Sequence, residues 1–161
     1  MWSFALRIRR QRWTRMADHQ SGATKAVETL LESTLDSVDE AETLVIDIAT
    51  KAGLSEDDLH KLGMAVREAM VNAVVHGNRY NLKKKVHLSV ENGPDRLAVT
   101  ITDEGEGFDF TRLPDPLAEE NLLRQSGRGL LLIRAFVDEV HLELAPPLGT
   151  EVRMIKFRSP S

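Results

Sequence analysis

The 161-residue sequence contains no cysteine. That absence removes disulfides, thiol nucleophiles, thiolate zinc and iron–sulfur clusters together. Long hydrophobic runs are missing as well: nothing approaches the roughly 18 uninterrupted apolar residues of a membrane span, and a cytosolic protein is expected. Nor is there an excess of positive charge. Lys and Arg number 21 against 25 Asp and Glu, a net charge of −4, whereas a domain built to grip a nucleic-acid backbone is usually basic, so direct nucleic-acid binding is not expected. Internal repeats, low-complexity tracts and dividing linkers are also lacking. What is present, 42% apolar and 29% charged residues, is the ordinary composition of one globular domain.

The charge is unevenly distributed. Residues 1–15 carry five arginines and no acid, which leaves 16 positive against 25 negative side chains in the rest of the chain. The arginines interrupt every apolar pair, so the segment does not read as a secretory signal. Residues 1–22 read as a basic tail, expected to be disordered: either an amphipathic arm or an extension ahead of Met16. Residues 23–161 form the folded domain.

Along that domain the hydrophobic period changes several times. Residues 27–35 read as a strand. Ser37-Val38-Asp39-Glu40 has capping-box spacing, which predicts a helix starting there, with Ala41, Leu44, Val45, Ile48 and Ala52 on one face and Gly53 as the stop. Ser55 caps a second helix whose first turn is acidic and which ends near His76-Gly77-Asn78. Alternation at 86–91 and 97–102 around Asn92-Gly93-Pro94-Asp95 predicts a hairpin. Residues 104–127 read as a long functional loop. A third helix follows from about Gly129 to Asp138, then strands at 139–145 and 150–157. The expected fold is α+β: a two-layer sandwich with helices on one face of a mostly antiparallel, mixed sheet.

Three stretches could carry chemistry. Glu68, Asn72 and His76 are spaced by four on the second helix and share a stripe; on its own this reads first as a solvated face, and it also accommodates a general base beside an oxygen ligand for magnesium. Asp103-Glu104-Gly105-Glu106-Gly107 leaves a strand, so an aspartate there can accept from an exocyclic amine while Gly105 and Gly107 admit a flat base against the backbone. Gly127-Arg128-Gly129-Leu130 opens the third helix, offering backbone N–H groups and a guanidinium to an anion. No Lys-Ser/Thr follows and no strand precedes, so neither the P-loop nor the Rossmann fingerprint fits.

In this order the stretches resemble the GHKL ATP-binding superfamily of gyrase, Hsp90, histidine kinases and MutL. Residues 68–78 (EAMVNAVVHGN) resemble its N box, 103–108 its G1 box, 127–133 (GRGLLLI) its G2 box, and Gly149-Thr150 the motif that completes the adenine pocket. The stand-alone size, the short lid and Asn-Ala-x-x-His-Gly are most similar to bacterial anti-sigma-factor serine/threonine kinases of the RsbW and SpoIIAB type. The resemblance implies the Bergerat ATP-binding fold with ATP and Mg²⁺ as ligands. It implies that Asp103, supported by Thr150, binds the adenine amine, that Asn72 holds Mg²⁺, and that Glu68 is the general base. Gly105 and Gly107 would flank the nucleotide, the stretch Gly127, Arg128, Gly129 and Leu130 would hold phosphates, and 109–126 would be the lid. Many members carry a glycine where this chain has Leu131. The implied function is partner switching between a sigma factor and a small anti-anti-sigma (STAS-type) protein, by a homodimer. The alternative is an ATP-binding module that sequesters a protein without phosphoryl transfer. A detached histidine-kinase catalytic domain is a third reading, without a visible phospho-accepting helical hairpin.

Overall fold

A computed structural model describes residues 25–106, 129–145 and 149–158. The expectations for residues 1–22, for the lid and for Gly107, Gly127 and Arg128 lie outside the described residues. The order is β1 (Lys25–Glu32), α1 (Asp36–Lys51), α2 (Glu56–Val71), a π-helical turn (Asn72–Gly77), β2 (Lys85–Asn92), β3 (Arg96–Thr102), α3 (Gly129–Phe136), β4 (Glu139–Leu144) and β5 (Thr150–Phe157).

The strands form one sheet in the order β1-β2-β3-β5-β4, and all four pairings are antiparallel. The mixed character expected of the sheet is therefore not realised among neighbouring strands. β3 and β4 do run the same way, because α3 lies in the crossover between them. The β4–β5 hairpin then places β5 in the gap, antiparallel to both.

Side-chain alternation gives the sheet two unlike faces. Val86, Leu88 and Val90 of β2, Leu97, Val99 and Ile101 of β3 and Val152 and Met154 of β5 turn to the helices and are buried. The opposite face is polar, and on it Glu91 of β2 pairs across the sheet with Arg153 of β5 through two hydrogen bonds of 3.2 and 3.4 Å. The three described helices lie on the apolar face, with α2 packed against both α1 and α3. Leu62, Ala65, Val66, Ala69 and Met70 form its inward stripe.

Local signals set most of the ends. Ser55 caps α2, its hydroxyl accepting from the Asp58 N–H at 3.2 Å, and Glu56, Asp57 and Asp58 sit where the helix dipole favours acids. Gly53 ends α1 with φ +85°, a conformation that is strained for residues with a Cβ. The start of α1 differs from the expectation. The helix begins at Asp36 with Leu35 at the N-cap and no side-chain cap, so Ser37 lies inside the first turn, buried, with its hydroxyl 3.3 Å from that of Thr34. The acid three residues on has no exposed cap to complete.

A buried ion pair fixes the far end of α2. Lys156 projects from β5 into the helix layer, and its ammonium lies 3.3 Å from Asp58 and 3.9 Å from Asp138. Held there by β5 and stacked along its length on the core, α2 delivers its other end, with Glu68 and Asn72, to the loop that follows β3.

Candidate functional site

Asp103 is the first residue beyond β3. Its backbone N–H donates to the carbonyl of Thr150 at 3.0 Å. In return the Thr150 N–H donates to Asp103 Oδ1 at 3.2 Å, and the Gly105 N–H donates to the same oxygen at 2.9 Å. The carboxylate is buried, and that burial raises its pKa above the ordinary aspartate value, against the two backbone donors and the charge of Lys84, which lower it. Among the described residues no hydrogen bond is made to Oδ2. The group is thus a fixed acceptor with one oxygen spoken for and the other able to take an N–H.

Three glycines make room for this carboxylate. A Cβ on Gly77 would stand 2.3 Å from Asp103 Oδ2, one on Gly105 would stand 2.3 Å from the Gly77 carbonyl oxygen, and one on Gly149 would stand 2.2 Å from the Asp103 carbonyl oxygen. Each separation is far inside van der Waals contact, so the end of the π turn, the loop after β3 and the turn before β5 meet at closest approach because none of the three carries a side chain.

Glu68 lies in the last turn of α2 and Asn72 opens the π turn; both are half-buried. His76, expected on the same stripe, is exposed: the wider π turn and the chain reversal after it face it to solvent. The Asn72 side-chain nitrogen is buried without a hydrogen-bond partner among the described residues. Buried amide groups are nearly always hydrogen-bonded, so this free N–H makes Asn72 a candidate ligand contact. Gly129 and Leu130 form the first turn of α3, whose leading N–H groups have no partners within the helix. Leu130 and Leu131 both pack against the core, so Leu131 serves packing at the start of α3.

Asp103, Gly105 and Thr150 are therefore brought together by direct bonds, with Glu68 and Asn72 on the helix that ends against them. Sequence reasoning passed over Gly77 and Asn78, which it took for a helix stop. A Gly-Asn pair does stop helices, and nothing local records that Asp103 needs the space. Lys84, in the turn before β2, also acts on Asp103 through its charge.

The chain matches the Histidine kinase-like ATPase domain model over residues 31–156 and belongs to that family, an ATP-binding branch of the GHKL group. Within it the chain is of the anti-sigma kinase type. It is 35% identical over 107 residues to "Anti-sigma F factor" of Bacillus subtilis, covering 65% of this chain and 73% of that one. It is 31% identical over 138 residues to "Serine-protein kinase RsbW" of Staphylococcus epidermidis, covering 81% and 86%. The fold is similar to that of the RsbU and RsbW domains of Rv1364c from Mycobacterium tuberculosis, with a TM-score of 0.59 at 17% identity. That match covers 86% of this chain and 34% of the longer one. No described helix is long and apolar enough to cross a membrane.

Proposed function

We propose that the protein is an ATP- and Mg²⁺-dependent serine/threonine protein kinase and anti-sigma factor. It phosphorylates a small STAS-type anti-anti-sigma protein and, as a homodimer, exchanges that partner for a sigma factor. The observation that carries this reading is the buried Asp103 carboxylate, locked through Oδ1 by Gly105 and Thr150 with Oδ2 left over, in a family that binds ATP.

Asp103 accepts the adenine amine, and Thr150 and Gly105 hold it to that task. Glu68 orients the attacking seryl or threonyl hydroxyl and takes its proton as the new O–P bond forms and ADP leaves. Phosphoryl transfer asks a protein mainly for positioning and charge neutralisation, which a site of this modest chemical content can supply. The backbone at the start of α3, with Gly127 and Arg128, receives the phosphates, and Gly107 adjoins the base.

The residues present fit a magnesium ion. Asn72 offers an amide oxygen, which suits a hard cation, its unpartnered side-chain N–H is placed to donate to an anion such as a phosphate, and Glu68 stands one turn before it. Magnesium prefers oxygen and is usually held by one or two protein groups together with substrate phosphates, and no cluster of three or more His, Asp or Glu suited to a metal occurs among the described residues. When bound, the ion would offset phosphate charge.

The test is phosphate transfer from labelled ATP to candidate STAS-type proteins in the presence of Mg²⁺. Glu68→Gln is expected to slow transfer about 100-fold or more while leaving ATP affinity within a few-fold. Transfer at the wild-type rate in Glu68→Gln would remove Glu68 from its role. A wild-type protein that binds ATP and both partners without transferring phosphate would leave only the sequestering module.

A further inference from the structure

The geometry points to Asn78, backed by Ser33, as the positioning residue that fixes the orientation of Asp103 and through it the discrimination between a 6-amino purine and a purine without that amine. The inference rests on the nucleotide reading of the site given above.

Asn78 is 2% exposed. Its side-chain nitrogen donates to Ser33 Oγ at 2.9 Å and to the Lys85 carbonyl at 3.0 Å, and its Oδ1 accepts from the Glu104 N–H at 2.8 Å. Both amide donors and the acceptor are thus engaged. Ser33 passes the chain of bonds on, its hydroxyl donating to the Lys84 carbonyl. One side chain therefore ties the segment after β1 and the start of β2 to the residue between Asp103 and Gly105.

That last bond gives Asn78 its effect on the site. The Gly105 N–H is one of the two donors on Asp103 Oδ1. The Glu104 peptide sits directly between them, and its N–H, held by Asn78, fixes the plane of that turn. Without the acceptor the peptide is free to turn toward water, Gly105 moves with it, and Oδ1 keeps only Thr150. Aspartate would set a carboxylate oxygen against the Lys85 carbonyl, and an apolar side chain would take this partner from the Lys85 carbonyl and the Glu104 N–H and leave Ser33 with its bond to Lys84 alone.

The chain goes to some length to aim this side chain inward. The Asn78 N–H bonds back to the Ala73 carbonyl at 2.8 Å and the Tyr80 N–H to the Val74 carbonyl at 2.9 Å, closing the wide π turn. Arg79 and Tyr80 then take φ of +51° and +59°, a left-handed conformation uncommon for any residue with a side chain and held only where surroundings over-determine it.

The experiment measures dissociation constants for ATP and for inosine triphosphate, which has a carbonyl in place of the amine. It uses the wild type, Asn78→Ala and Ser33→Ala, with thermal midpoints alongside. The wild type is expected to prefer ATP. Asn78→Ala should weaken ATP roughly tenfold while inosine triphosphate changes little, so the preference collapses, and Ser33→Ala should move it the same way by less. A purely structural role would lower the midpoint and both affinities together; equal losses, or none, would overturn the inference. If Asn78→Ala does not fold, the ratio in Ser33→Ala decides, and an unchanged ratio there overturns it. A wild type that binds neither nucleotide sinks the nucleotide reading itself, whereas a discriminating wild type with an equally discriminating Asn78 variant sinks only this inference.

Discussion

Replacing Gly77 by alanine sets two physical effects against each other. Gly77 lies in a helical turn, and helix propensity alone favours alanine there by about 1 kcal/mol. The new Cβ, however, would sit 2.3 Å from Asp103 Oδ2 and 2.4 Å from its Cγ. Ordinary contact begins near 3.4 Å, so the carboxylate or the turn must retreat by roughly 1 Å. The bonds from Gly105 and Thr150, now 2.9 and 3.2 Å, would then lie beyond hydrogen-bond range. Each is a charge-assisted bond worth about 1.5–3 kcal/mol, with part recovered by relaxation, so a net loss of about 2–4 kcal/mol is expected. For a domain of this size that lowers the thermal midpoint of the nucleotide-free protein by roughly 5–15 °C. ATP affinity, read by calorimetry, should fall at least about tenfold through the displaced acceptor. An unchanged or raised midpoint with wild-type ATP binding would refute the reasoning, because it would mean that propensity outweighs the contact.

Glu151 gives a pH test. Burial first, and the facing Glu143 and Glu91 carboxylates after it, raise its pKa against the pull of Arg153. A raised folded-state value means the native chain holds this proton more tightly than the unfolded chain. The group therefore subtracts stability as pH rises through the window above the ordinary glutamate value, and subtracts nothing below it. Glu151→Gln should stabilise the protein at neutral pH, with the gain vanishing below about pH 4; urea midpoints across that range check it. Asp58→Ala removes the nearer partner of the buried Lys156 ammonium and leaves Asp138 at 3.9 Å, so a loss of about 1–3 kcal/mol is expected in urea unfolding.

Much of this was legible in the sequence because the signals were local. The alternation around Asn92-Gly93-Pro94-Asp95 fixed the β2–β3 hairpin, Ser55 and Gly53 marked helix ends that the structure reproduces, and the period of four put Glu68 and Asn72 on one helix. Asp103 stood out because an aspartate followed by spaced glycines leaves a strand. What escaped depends on contacts distant along the chain. The insertion of β5 between β3 and β4 follows from how a hairpin fills a gap left by a crossover, which no window of sequence records. Ser37 carried capping-box spacing but was drawn into the first turn of α1 beside Thr34. The π turn from Asn72 to Gly77 leads into Asn78, whose side chain bonds Ser33, Lys85 and Glu104, and none of these is its neighbour in sequence. Gly77 looked like a helix stop; its lack of a side chain is required by Asp103.

The central claim is that Asp103 anchors an ATP site. Calorimetric titration of ATP with Mg²⁺ into the wild type and Asp103→Asn tests it most directly. The account predicts saturable binding to the wild type and a loss of at least about tenfold in Asp103→Asn, since one charge-assisted acceptor is worth about 1.5–3 kcal/mol. Equal binding by both proteins, or none by the wild type at millimolar ATP, would contradict it.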